Sequence, residues 1–230
     1  MSSPDQINFR AEWDAYWQTQ SITPHQTLYG VIAAVYRKLL IRPFLNRFIR
    51  LNFSRQMDLL HTGCGGGMVD DDIVGYANIT AIDFSSAAVA SYTGRHDGKA
   101  ACVVADICQL AIKDSSFDGI YNLGVMEHFL RDDHERILGE FRRILKPKGK
   151  LLLIWPPKFG SSVIFLKFVH WLANDVLKKD IHLHPPEPSR IKSKKWLQQL
   201  LDANGFEIVS YYFGPRDLFT QCAIVARVKN

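Results

Sequence analysis

The chain has 230 residues, 47% of them apolar and 22% charged, and a formal net charge of +5. That length supports one domain with a substantial core, and the composition excludes disordered, fibrous and disulfide-stapled classes. No apolar run approaches the ~20 residues of a membrane-spanning helix, and Met1-Ser2-Ser3-Pro4-Asp5 opens without a signal-peptide core. A cytoplasmic protein, at most peripheral to a membrane, is expected. The mild positive charge permits contact with anionic lipid or nucleic acid without demanding it. Cys64, Cys102, Cys108 and Cys222 have neither metal-ligand nor disulfide-framework spacing. Free thiols and no bound metal are expected.

Phe9, Trp13, Tyr16 and Trp17 recur at helical spacing, which predicts an amphipathic helix over 5–20 that Pro24 breaks. Residues 27–53 read as one or two helices kinked or restarted at Pro43, with Leu28, Val31, Val35 and Leu39 apolar and Arg37, Lys38, Arg42, Arg47 and Arg50 basic. The plain reading is a helical cap on the sheet with a solvated basic face. The sharper one is a surface for lipid headgroups or a substrate pocket. A strand over 57–61 then enters the turn Gly63-Cys64-Gly65-Gly66-Gly67, and 68–76 is predicted helical despite its acidic opening, Asp70-Asp71-Asp72, since carboxylates are favoured at a helix N-terminus.

A second strand ends at Asp83, and Ser85 is placed to cap a helix over 86–96. A short strand over 101–105 ends at Asp106-Ile107. A fourth, over 116–122, leads to Glu127-His128. A helix over 132–145 and a strand over 150–155 follow. This alternation predicts an α/β fold with a parallel, right-handed, doubly wound sheet. Beyond it lie an apolar helix over 162–177, a proline-rich loop over 182–188, and a helix from Ser193 to Leu201 stopped by Gly205. Two closing strands, 206–212 and 221–228, would add an antiparallel edge.

A glycine-rich turn between strand and helix, followed by a strand-end acid, is the order needed to hold a nucleoside. Glycines let backbone approach a ligand, and strand ends line the crevice where an acid can meet ribose hydroxyls. A dinucleotide fingerprint would place its last glycine at Met68, and no Gly-Lys-Ser/Thr of a phosphate loop follows. The spacing Gly63-x-Gly65-x-Gly67 resembles motif I of the class I S-adenosylmethionine-dependent methyltransferases. Further matches follow in register: Ala81-Ile82-Asp83, Asp106-Ile107, Ser116-Phe117-Asp118, Met126-Glu127-His128 and Leu145-Lys146-Pro147-Lys148-Gly149. Trp196-Leu197 and Ala203-Asn204-Gly205-Phe206 resemble the family's last helix and strand. The nearest resemblance is to the small-molecule group with quinone-biosynthesis O-methyltransferases.

The resemblance implies a Rossmann-like, seven-stranded, mostly parallel sheet with an antiparallel C-terminal strand. It implies a helical cap over 1–54 and a methyltransferase domain over 55–230 with a lid insertion near 156–192. The cofactor would be S-adenosylmethionine, with S-adenosylhomocysteine as product. Gly63, Cys64, Gly65 and Gly67 would line its methionine and ribose, Asp83 with Phe84 would hold the ribose, Asp106 and Ile107 the adenine, and Asn122 and Glu127 the amino-acid end. The plainer readings make Asp83 a helix cap, Asp106 a turn residue and Asp118 a strand-entry residue. His61 departs from the pattern, standing where the family has an acid for the cofactor's ammonium. A neutral imidazole can accept one hydrogen bond there but brings no charge. Lys148 stands where glycine is common.

Methyl transfer from a sulfonium needs a nucleophile placed behind the methyl carbon with water excluded. An oxygen acceptor gains from a base, and His128 is the candidate; a packing histidine is the plain alternative. His182 and His184 lack the regular spacing of metal sites and are expected in a lid. The aromatic N-terminal helix and the apolar 162–177 segment suggest a small apolar or aromatic acceptor, lipid-linked ones included. Two other readings stand. His61 would suit an inactive binding or scaffold protein of the same fold. A basic surface including Arg37, Arg42, Lys194 and Lys195 would suit nucleic-acid methylation, against which no Asn/Asp-Pro-Pro-Tyr/Phe signature is found.

Overall fold

The computed structural model describes residues 11–18, 28–170 and 187–229. Seven strands form one sheet: β1 Asp58–Thr62, β2 Asn78–Asp83, β3 Ala101–Val104, β4 Phe117–Leu123, β5 Leu145–Trp155, β6 Phe206–Tyr212 and β7 Cys222–Val228. Their spatial order is β3-β2-β1-β4-β5-β7-β6. Strands β1 to β5 pair in parallel and β7 runs antiparallel to both neighbours. Helices are α1 over 11–18, α2 Leu28–Tyr36, α3 Arg42–Asn52, α4 Ser86–His96, α5 Arg131–Ile144, α6 Ser161–His170 and α7 Lys194–Ala203. The winding reverses between β1 and β4, so the C-terminal ends of these two strands open the crevice where such sheets take ligands.

The central strands are buried on both faces, which explains their unbroken apolar runs. On one side Leu60, Ile82, Ile120, Leu151 and Leu153 pack with α5 and α7. Helix α5 presents Ile137, Leu138, Phe141 and Ile144, all fully buried, as a stripe at i, i+1, i+4 and i+7. On the other side Leu59, Ile79, Tyr121 and Leu152 lie with Phe44, Leu45, Phe48 and Ile49 of α3. Serines cap where expected: Ala88 N donates to Ser85 Oγ at 3.3 Å, and Trp196 N to Ser193 Oγ at 3.1 Å.

Four expectations are corrected. The break in 27–53 is a π-helical turn, Arg37–Ile41, just before Pro43; the proline sits in the first turn of α3, where its missing N–H leaves no bond unmade. Residues 68–76 form a single 3-10 turn, Met68–Asp70, followed by tight turns. Their three acids divide between core and surface: Asp70 is fully buried, while Asp71 pairs with Arg42 and Arg95, and Asp72 shares Arg42. Strand β5 begins at Leu145, because Leu145 pairs with Phe117 before Lys148, at φ 70, turns the chain. Finally, the antiparallel strand is internal. Residues 222–226 are buried throughout, whereas β6 carries Glu207, Val209 and Ser210 at the surface, as an edge strand can. The remainder of the apolar 162–177 segment, with His182 and His184, lies outside the described residues.

Candidate active site

The glycine turn closes the end of β1 with three left-handed residues, Gly63, Gly65 and Gly67, at φ 67, 50 and 73. A side chain would be strained at each position. A Cβ on Gly63 would also lie 2.5 Å from Val125 Cγ2, so the loops after β1 and β4 touch across the switch point. Cys64 is buried and burial pushes its thiol pKa up, which makes it a packing residue and not a nucleophile.

Beneath this turn lies a buried polar cluster built on Asp70. A single carboxylate oxygen, Oδ2, accepts from His61 Nδ1 at 2.6 Å, Tyr92 Oη at 2.7 Å and Tyr121 Oη at 2.9 Å. His61 stacks on Tyr121 with ring centroids 4.4 Å apart. In a neutral imidazole whose Nδ1 donates to Asp70, Nε2 is the acceptor. The chain therefore keeps an acid at this place, set behind His61.

At the end of β2, Asp83 accepts from Gly65 N and Ser85 N, each at 3.0 Å, one bond per oxygen. Burial raises its pKa, and N–H groups of Ser85, Gly65 and Phe84 oppose the rise. A carboxylate offers about four acceptor sites, so capacity remains for a hydroxyl. The turn-building and ligand-holding readings of Asp83 are thus compatible. Past β3, Asp106 accepts from Cys108 N at 2.9 Å in a local turn, beside buried Ile107. Asp118 is structural, bonded to Asp58 N and Lys146 Nζ, both at 3.0 Å.

Asn122, next to the last residue of β4, is fully buried, and neither amide atom has a hydrogen-bond partner among the described residues. A buried amide left in that state is costly without a ligand or water. Glu127 is also buried, with Oε2 unpartnered, and burial pushes its pKa up to about 8. Its main chain is pinned by Ser189 N, which donates to Glu127 O at 3.1 Å; Trp155 Nε1 in turn donates to Ser189 O at 2.9 Å. The 187–191 segment thereby closes one flank of the crevice.

Helix α1 lies across the top. Trp17 covers Gly65, where an added Cβ would stand 2.5 Å from its ring; Asp14 accepts from Ser85 Oγ at 2.6 Å; Trp13 meets His128 edge-to-face at 4.8 Å. One short helix so contacts the ends of β1, β2 and β4. The structure brings His61, Gly63, Cys64, Gly65, Gly67, Asp83, Asn122, Glu127 and half-buried His128 to this crevice, with Phe84, Asp106 and Ile107 on its β2–β3 side. Sequence reasoning missed Asp70, Tyr92, Tyr121, Asp14 and Trp17 as parts of it. The one available signal was His61 itself, whose missing acid invited a search for a nearby replacement. Among the described residues no group of His, Cys, Asp and Glu could hold a metal ion.

A glycine turn at the switch point, a strand-end acid and a sheet of this order match the Rossmann-like methyltransferase fold. Residues 60–153 match the family described as Methyltransferase domain. It is 25% identical over 162 residues to "Probable S-adenosylmethionine-dependent methyltransferase Rv3030" of Mycobacterium tuberculosis, covering 69% of this chain and 53% of that protein. The chain thus spans about half the length of that relative. Among solved structures, magnesium protoporphyrin IX methyltransferase of Synechocystis with bound S-adenosylhomocysteine superposes with a TM-score of 0.69 at 15% identity, over 96% of each chain. A Burkholderia thailandensis 1,6-didemethyltoxoflavin-N1-methyltransferase gives 0.67 at 16% identity, over 100% of this chain and 92% of that one. At these identities the structures show a shared fold.

Proposed function

We propose that this protein is an S-adenosylmethionine-dependent methyltransferase acting on a small apolar or aromatic acceptor, at oxygen. The observation that carries the reading is Asn122: a fully buried amide at the switch point, neither of whose polar atoms has a hydrogen-bond partner among the described residues. The residues fit the cofactor. Asp83 offers remaining acceptor capacity for ribose hydroxyls, the left-handed glycines admit backbone contact, and a neutral His61, oriented by Asp70, can accept from an ammonium at Nε2. Glu127 adds a carboxyl at the same end, which a bound cation would ionise. Asp106 and Ile107 would flank adenine.

Bound S-adenosylmethionine supplies an electrophilic methyl group on a sulfonium. The chain's own part is to position, to dry and to move a proton. His128, at the mouth beside Trp13, takes the acceptor's hydroxyl proton as general base. Helix α1 and the described residues 156–165 and 187–192 act as the lid that excludes water, and Trp17 must shift from Gly65 to admit the cofactor. Their aromatic and apolar composition supports an acceptor of the same character.

Calorimetric titration with S-adenosylmethionine and S-adenosylhomocysteine tests the cofactor site. Binding that weakens at least tenfold in Asp83→Asn is expected; no binding to a folded protein would sink the reading and favour a scaffold role. With labelled cofactor and a panel of phenolic and lipid acceptors, His128→Ala should lower kcat while leaving cofactor affinity unchanged. Full activity in that variant would remove His128 as the base.

A further inference from the structure

Three segments reach the surface together on the C-terminal edge of the sheet, on the β5–β7–β6 side of the crevice. Segment 157–161 follows β5, the 213–220 loop follows β6, and α2 ends beside them. Ser161 N donates to Phe219 O at 2.9 Å, Phe159 and Phe219 each meet Phe213 edge-to-face, and the Tyr36 hydroxyl bonds Thr220 Oγ1. Ile32 lies one turn before Tyr36 on the same side of α2. The surface they form is apolar: Val31, Ile32, Val35, Leu39, Phe159, Ile164, Phe165, Leu218 and Phe219 are each 45–64% exposed. Scattered exposed hydrophobics need no explanation, but a connected group of this size marks a contact surface.

Charge identifies the occupant. Across 28–41, 156–170 and 213–221 the ionic residues are Arg37, Lys38, Lys158, Lys167, Arg216 and one acid, Asp217. Asp217 is fully buried and accepts from Thr220 N and Gln221 N, so it does not offset the cations at the surface. Arg37, Lys38, Lys158 and Arg216 are exposed. A protein partner would be met by mixed charge; an apolar surface rimmed by cations alone suits acyl chains beneath anionic headgroups. No helix among the described residues is long and apolar enough to cross a membrane, so the contact is with its surface.

The geometry points to this edge as a docking surface for an anionic lipid bilayer. It goes beyond methyl transfer and stands whether or not the crevice is catalytic. Docked this way, the C-terminal edge of the sheet faces the lipid, and a membrane-dissolved acceptor would reach the crevice without crossing water.

Cosedimentation of the full chain with phosphatidylcholine vesicles, with and without phosphatidylglycerol, tests it. Binding that requires phosphatidylglycerol and weakens with salt is expected. Arg37→Gln/Lys38→Gln should weaken it about thirtyfold, taking about 1 kcal/mol per cation at an anionic surface. Phe165→Asp should abolish it, and Lys194→Gln/Lys195→Gln, an exposed basic pair outside the surface, should leave it unchanged. Absence of vesicle binding would overturn the proposal, as would equal loss in the control pair, or dimerisation that Phe165→Asp abolishes. Cofactor calorimetry on the same variants reports folding and the crevice separately, so failure of one reading leaves the other standing.

Discussion

Replacing Asp70 probes the cluster under the glycine turn most directly. Its fully buried Oδ2 takes three donors, two tyrosine hydroxyls and an imidazole N–H, at 2.6–2.9 Å, while Oδ1 has no partner. In Asp70→Asn the amide oxygen can keep all three bonds and the nitrogen takes the unpartnered place. Exchanging a charged for a neutral acceptor weakens each bond by about 1 kcal/mol, partly offset by no longer burying a charge. The net loss should be about 1–3 kcal/mol. Asp70→Ala instead orphans three buried donors at about 1–3 kcal/mol each, and after relaxation should cost about 3–6 kcal/mol. Urea unfolding at neutral pH separates the two, provided m is unchanged. A double-mutant cycle with Tyr121→Phe should give a coupling of about 1 kcal/mol or more. Equal effects of Asn and Ala, or a cost below about 1 kcal/mol for Ala, would refute the hub.

Glu127 has a folded-state pKa of about 8 against an ordinary 4.5, so the native state holds a proton the unfolded chain has released. Its contribution to stability therefore falls as pH rises from about 4.5 to about 8, by up to ~1.4 kcal/mol per unit. Urea midpoints at both ends of that window should converge for Glu127→Gln and diverge for the parent; parallel behaviour would refute the shift. Gly67→Ala forces a side chain into φ 73 with its Cβ 2.7 Å from both His96 Nε2 and Tyr92 Cδ2, whereas Gly98, at φ 70, faces open space. The first should cost about 2–4 kcal/mol and the second about 1 kcal/mol, read by denaturation; similar values would mean packing plays no part. Trp17→Ala should hardly change stability but speed S-adenosylhomocysteine release about tenfold in stopped flow, and an unchanged rate would remove α1 from the lid.

The scaffold was readable because its signals are local. Ser85 and Ser193 cap where their spacing says, and apolar runs alternate with helical periods from β1 to β5. The residues proposed to hold the cofactor were legible for the same reason: Gly63, Asp83 and Asn122 lie at or beside strand ends. The supporting cluster was not. Asp70, Tyr92 and Tyr121 come from three elements and meet only once the sheet is built, and an acid in a run of three looks like charge at a helix start. Likewise Trp13 and Trp17 advertised an amphipathic helix, but nothing in their spacing says that its face would lie on Gly65 and His128.

The placement of β7 also constrains how the chain can assemble. Strand β7 follows β6 in sequence yet fills the slot between β5 and β6, so until residues 222–228 are in place both β5 and β6 lack a partner on that side. Leu151, Leu152 and Leu153, fully buried in the finished sheet, are then one strand short of cover. Such edges recruit other chains. A released chain truncated before residue 222 would be aggregation-prone, because deletion of β7 should divide the sheet into two parts that cannot bury their own faces.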